Sequence, residues 1–172
     1  MPSSEQPTVK ADIRPLDNMP APPQIKKNAQ WVIDNFGPQS GLAQFGYDAQ
    51  SIAYLDAFID RQGESFRASP QGIDRIVSLL GSFVGEAVIA TYGGDWEQND
   101  SGLSIVIRSS GQVHFVQPFQ KIHKRLTNGQ EDNLEFYFAT LLPQVLARPE
   151  PSGSQPSSPH DGGPKKPWWK IF

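Results

Sequence analysis

The 172-residue chain contains no cysteine. That excludes a disulfide framework, a thiolate zinc site and a cysteine nucleophile. Long apolar runs are also lacking. Nothing approaches the roughly 20 residues a helix needs to cross a bilayer, and the first 20 residues are broken by acidic side chains and proline, so no secretory signal is read there. The expected compartment is the cytoplasm. Positive charge is not in excess: 15 Lys and Arg stand against 18 Asp and Glu. The deficit is uneven, with residues 1–147 at net −5 and residues 148–172 at net +2. An acidic body lacks the clustered Lys and Arg that neutralise phosphates, so nucleic acid is not an expected partner.

Proline gives the organisation. Twelve of the 16 prolines fall in residues 1–23 or 148–172. Proline removes a backbone donor and fixes φ, which opposes helix and sheet alike. Residues 1–22 therefore read as a disordered arm and 148–167 as a Pro/Ser/Gly-rich linker, 13 of those 20 residues being Pro, Ser or Gly. An aromatic peptide, 168–172, follows. The folded domain is expected over 23–147.

Within it, hydrophobic spacing predicts a helix over 23–35, with Ile25, Ala29, Val32 and Phe36 on one stripe and Gly37-Pro38 as the stop. Asp48 can cap a second helix over 49–62, in which Ile52, Leu55, Phe58 and Ile59 face inward and Asp56, Asp60 and Arg61 face water. Ser69-Pro70 opens a third helix, about 70–92, apolar on several sides and therefore central. Gly93-Gly94 ends it.

A β section follows, with strands near 95–98, 103–107 and 113–116. Leu103, Ile105 and Ile107 are expected to share the core side with Val113 and Phe115, leaving Ser104, Arg108 and His114 on the wetter face. Pro118 then opens a short helix ended by Gly129. Leu134, Phe138, Leu141 and Leu142 mark the buried stripe of a last helix, which Pro143 kinks or ends. The fold class is α+β: a helical N-terminal half, a small antiparallel β-meander and two C-terminal helices.

The chemistry-bearing residues are few. Glu86 sits in an apolar helix turn beside Gly81 and Gly85, an arrangement that suits either a general acid or base or a carboxylate bonded to a Tyr, Trp or Arg at the core edge. Tyr92, Asp95 and Trp96 flank the double glycine, as a ligand corner or as a turn with an aromatic plug. His114 and His123 lack the partners and spacing of a metal or catalytic pair, so no metal and no cofactor are expected. Lys121, His123, Lys124 and Arg125 form a basic cluster on the short helix, read mainly as its wet face.

The tail carries the strongest interaction signal. Lys165, Lys166, Trp168, Trp169, Lys170, Ile171 and Phe172 combine cations with large rings at the end of a polar linker. Tryptophan supplies much contact area at low rotamer cost, and lysines favour an anionic surface. A tethered peptide of this kind suits a groove on a protein, an anionic membrane surface, or a fold-back onto its own domain.

Several stretches together resemble an uncharacterised family of small bacterial soluble proteins. They are Gly81-Ser82-Phe83-Val84-Gly85-Glu86, Thr91-Tyr92-Gly93-Gly94-Asp95-Trp96, Pro118-Phe119-Gln120-Lys121-Ile122-His123-Lys124 and Asn128-Gly129-Gln130-Glu131-Asp132-Asn133. The resemblance spans about 25–145. It implies a bacterial origin and a conventional soluble domain, and no established activity.

The leading expectation is a non-catalytic, protein-binding domain of adaptor or immunity type with a tethered C-terminal Trp-Trp peptide. Peripheral membrane association through that tail is the second reading. A small hydrolase or ligand-binding enzyme around Glu86, with Tyr92, Asp95 or His114, is the third; it requires Glu86 to open into a pocket with a second titratable group.

Overall fold

The computed structural model describes residues 20–100, 102–109 and 111–147. The arm before residue 20, the linker and the aromatic peptide lie outside the described residues. Three helices come first: α1 (Pro22–Ser40), α2 (Ala49–Arg67) and α3 (Pro70–Tyr92). An antiparallel meander follows, β1 (Asp95–Asn99), β2 (Gly102–Ser109) and β3 (Gln112–Val116), in the order β1-β2-β3. Then come α4 (Pro118–Asn128), a 3₁₀ turn (Gly129–Asp132), α5 (Leu134–Phe136), a π turn (Tyr137–Leu141) and α6 (Leu142–Ala147). The class is α+β, with helices and strands segregated as the patterning implied. No helix among the described residues is long and apolar enough to cross a membrane.

The helix starts are set by local chemistry. Asp48 accepts from the Ser51 amide and Ser69 from the Gly72 amide, each satisfying one orphan donor of a first turn. Two helix ends differ from expectation. α1 runs through Gly37-Pro38 and stops at Gly41, whose φ of 71° is the left-handed conformation glycine accepts. Pro38 lies in the last turn, where Ser40 Oγ donates to the Gly37 carbonyl at 2.9 Å. α2 continues past Gly63 to Arg67 because tertiary contacts carry it: Phe58 and Phe66 stack at 5.8 Å, and Arg67 Nη1 donates to the Leu126 carbonyl at 2.7 Å.

α3 is central, packed against α1, α2 and α4. Ile76, Val77, Leu80, Phe83, Val84, Ala87 and Val88 are buried along it. α1 lays Ile25, Ala29, Val32 and Phe36 on this helix, and Asn28 Nδ2 fastens the pair by donating to Ser78 Oγ at 3.1 Å. Gly81 and Gly85 leave space on a neighbouring face of the same helix. A Cβ at Gly81 would collide with the Phe119 ring, and one at Gly85 with the Trp96 indole. The space beside the two glycines admits two aromatic rings.

The sheet register reverses one expectation. The two-residue connection at 110–111 puts Ser109 opposite Gln112, so Ile107 pairs with His114 and Ile105 with Val116. Side chains alternate along a strand, so this pairing turns His114 and Val116 inward with Ile105 and Ile107. His114 is 9% exposed, while Val113 and Phe115 are 52% and 59% exposed. Arg108 is on the outer face as expected, 2.8 Å from Glu97. Ser104 is buried there, its Oγ accepting from Asn99 Nδ2 at 3.2 Å.

The last helical segment buries Leu134, Phe138 and Leu142. Leu141 is only partly buried. The π turn explains this: the Leu142 amide bonds the Tyr137 carbonyl, five residues back, and the wider turn holds Leu141 off the core stripe.

Candidate functional site

Glu86 is held by a neighbour. Trp96 Nε1–H donates to Glu86 Oε1 at 2.9 Å, across the space left by Gly85. Burial, and secondarily the charge of Glu86, push the nearby Tyr47 hydroxyl above its ordinary pKa. Tyr92 is a strut: its hydroxyl donates to the Phe138 carbonyl at 2.7 Å, tying the end of α3 to the π turn. Burial raises its pKa as well. Asp95 is exposed at the start of β1. These residues, with His114 on β3, do not converge on one cavity: the groove described below is lined by His114 and by none of Glu86, Tyr92 and Asp95. Among the described residues, no group of three His, Cys, Asp or Glu side chains could hold a metal.

The basic cluster expected on α4 is split. Arg125 is 2% exposed, not on the wet face. Its Nε donates to Asp56 Oδ1 at 2.7 Å, and its Nη2 reaches Asp60. Asp56, expected to face water, is buried as the hub of this network. It also accepts from the Leu134 amide at 2.8 Å and from Asn133 Nδ2 at 2.7 Å. Burial alone would lower the pKa of Arg125; the hydrogen bonds and charges of Asp56 and Asp60 outweigh it and hold it above the usual value. The network joins α2, α4 and the start of α5, and its role is to close the fold.

The remaining α4 cations face a groove of about 860 Å³. One wall is β3, contributing Val113, His114, Phe115 and Val116. α4 contributes Gln120, Lys121 and Lys124, and the far wall is Tyr137, Leu141, Leu142 and Val145. Asp100 and Glu131 stand on its rim. Lys121 Nζ bonds Asp132 Oδ1 at 2.9 Å and lies 4.9 Å from the Tyr137 ring centre. Burial alone would raise the pKa of Asp132, but hydrogen bonds from Lys121 and Asn128 and the charges of Lys121 and Lys124 hold it below the usual carboxylate range. Burial pushes the Tyr137 hydroxyl up to about 12, so it is protonated at neutral pH.

Two features set this groove apart. His114 Nε2 is buried without a hydrogen-bond partner, which is uncommon for a buried polar atom. β3 is also an edge strand, bonded to β2 on one side and, among the described residues, to no strand on the other. Exposed strand edges are templates for a further strand.

Sequence reasoning singled out His114 but put it on the wrong face, and it missed Tyr137, Leu141 and Val145. Their position depends on the π turn, for which the sequence carries no marker. The peptide of Lys165, Lys166, Trp168, Trp169, Lys170, Ile171 and Phe172 lies outside the described residues. No protein-family model, curated protein or solved structure matches the chain.

Proposed function

We propose that this chain is a non-catalytic bacterial protein-binding domain of adaptor type, acting in the cytoplasm. Its docking face takes an extended polypeptide along the open edge of β3. One observation carries the reading: an edge strand with exposed Val113 and Phe115 forms the wall of a large, mostly apolar groove. Strand addition uses such an edge, with main-chain hydrogen bonds giving affinity and flanking pockets selecting alternate side chains. Apolar residues on both sides of β3 favour a segment with large side chains on both of its faces. The lining carries Asp100, Glu131 and Asp132 against Lys121 and Lys124, a small acidic excess that favours a segment with a cation. The C-terminal peptide 165–172 belongs to the same reading as a tethered recognition segment. The uncharacterised bacterial family resembled by residues 25–145 is consistent with a small binding domain.

The enzyme reading is weaker. Glu86 is bonded to an indole, and the groove contains His114 without Glu86 or Asp95.

A photo-crosslinking residue at position 115, compared with one at the exposed Trp31 of α1 outside the groove, tests the proposal. Adducts with a second polypeptide at 115 and none at 31 are expected in living bacterial cells. The same adducts at both positions, or none at 115, would overturn it.

A further inference from the structure

We infer that the segment seated on the β3 edge, when no other partner occupies it, is this chain's own C-terminal peptide, Trp168–Phe172, docked in cis as a fourth strand. The inference rests on the reading of the β3 edge as a peptide dock and names its resident.

Where the chain leaves the fold is the first argument. α6 ends at Ala147, and Val145, Leu142 and Leu141 of the same segment are groove wall. The chain therefore departs beside the site. Twenty residues separate Ala147 from Trp168, and at most about 3.3 Å per residue gives them a contour on the order of 65 Å.

The peptide also has the composition of the missing strand. Trp168, Trp169, Ile171 and Phe172 give it four large apolar side chains around one lysine. Trp, Ile and Phe favour strands, and Pro167 stands just before them, where a strand tolerates proline. A strand added here would send alternate side chains to the two sides of the sheet. Each side is apolar: Val113 and Phe115 outward, Val116 and Leu142 inward. Four large apolar residues out of five suit that setting better than the apolar–polar alternation of an ordinary surface strand.

Polar complementarity points the same way. Lys165, Lys166 and Lys170 would meet a lining that holds Asp100, Glu131 and Asp132 against Lys121 and Lys124, one acidic charge in excess. Tethering makes weak affinity sufficient. A short flexible linker supplies an effective concentration on the order of 1 mM, so a free-peptide Kd near 0.3 mM would keep the edge mostly occupied and raise the apparent Kd of a competing peptide about four-fold.

Amide NMR spectra of the full chain provide the test, compared with a full chain carrying Trp168→Ser and Trp169→Ser. The probe is a synthetic peptide of residues 165–172. The amides of Val113–Val116, Gln120 and Lys124 are expected to differ between the two chains. Adding the peptide to the substituted chain should reproduce the intact positions. The intact chain should need about four-fold more peptide for the same response, and Phe115→Lys should abolish the response. Shifts unchanged on 20-fold dilution support docking in cis; shifts that fade on dilution assign the edge to a second copy and overturn it. Identical β3 amides in the two chains overturn it outright. Crosslinking of an outside partner at 115 would then leave the protein-binding reading standing. β3 shifts without such crosslinks would instead retain the cis dock and remove that reading.

Discussion

The Tyr92 hydroxyl donates to the Phe138 carbonyl at 2.7 Å, in the place that Pro143 leaves open. In the π turn the Leu142 amide bonds Tyr137, five residues back, so the next donor in the series, for Phe138, would be residue 143. Proline has no N–H to give. The side chain of α3 supplies the bond instead. Tyr92→Phe removes that donor from a partly buried carbonyl and is expected to cost about 1–3 kcal/mol. Urea unfolding followed by circular dichroism measures it; a change below about 0.5 kcal/mol, half the smallest expected loss, would show that water replaces the hydroxyl.

Asp56 and Arg125 should behave as a unit. Asp56→Leu alone strands a buried guanidinium with only Asp60 beside it and is expected to cost about 3–5 kcal/mol. Asp56→Leu with Arg125→Met removes both charges and should recover much of that loss. The recovery is incomplete, because the Leu134 amide and Asn133 side chain still lose their acceptor. Denaturant midpoints of the two variants decide the point, and an equal loss in both would contradict the pairing.

Acid stability should depend on Asp132. Its pKa in the fold lies below the ordinary value of 3.8, so the unfolded chain binds the proton more readily. The stabilisation is present above pH 3.8 and is lost as pH falls below it, through the lower folded value. Asp132→Asn should be less stable than the parent at neutral pH, with the difference narrowing on acidification. Thermal transitions from pH 7 to pH 2.5 at fixed ionic strength read this out. A gap that widens in acid would refute the sign.

His114→Leu should be neutral or stabilising. The substitution removes a buried ring nitrogen that has no partner, and such groups carry a desolvation penalty of about 1–3 kcal/mol. A midpoint shift upward, or none, is expected by differential scanning calorimetry. Marked destabilisation would mean that the imidazole makes a bond of its own in solution.

The sequence disclosed whatever depended on neighbours within a few positions. Asp48 and Ser69 were readable as caps, and the stripe of α3 was readable as a central helix, because capping and 3.6-residue periodicity are local. What failed was non-local. Val113-His114-Phe115-Val116 offers two apolar pairs of opposite parity, and only the two-residue connection to β2 selects His114 and Val116 for the inside. Asp56 beside Asp60 and Arg61 has the pattern of a solvated helix face. Its partners lie 69, 77 and 78 positions away, beyond any window of periodicity. Leu141 was displaced from the expected stripe by a change of helical pitch that its residue type does not encode. The groove was hidden for the same reason, being assembled from β3, α4 and the segment after the π turn.

The reach of Asp56 also fixes an order of events at the ribosome. A nascent chain that has been synthesised to residue 120 holds this carboxylate with none of Arg125, Asn133 and Leu134 yet made. The second helix can form early, but its carboxylate stays hydrated until the final third of the domain emerges. Closure of the fold thus waits for residues 125–134, and a chain stopped before codon 125 cannot latch.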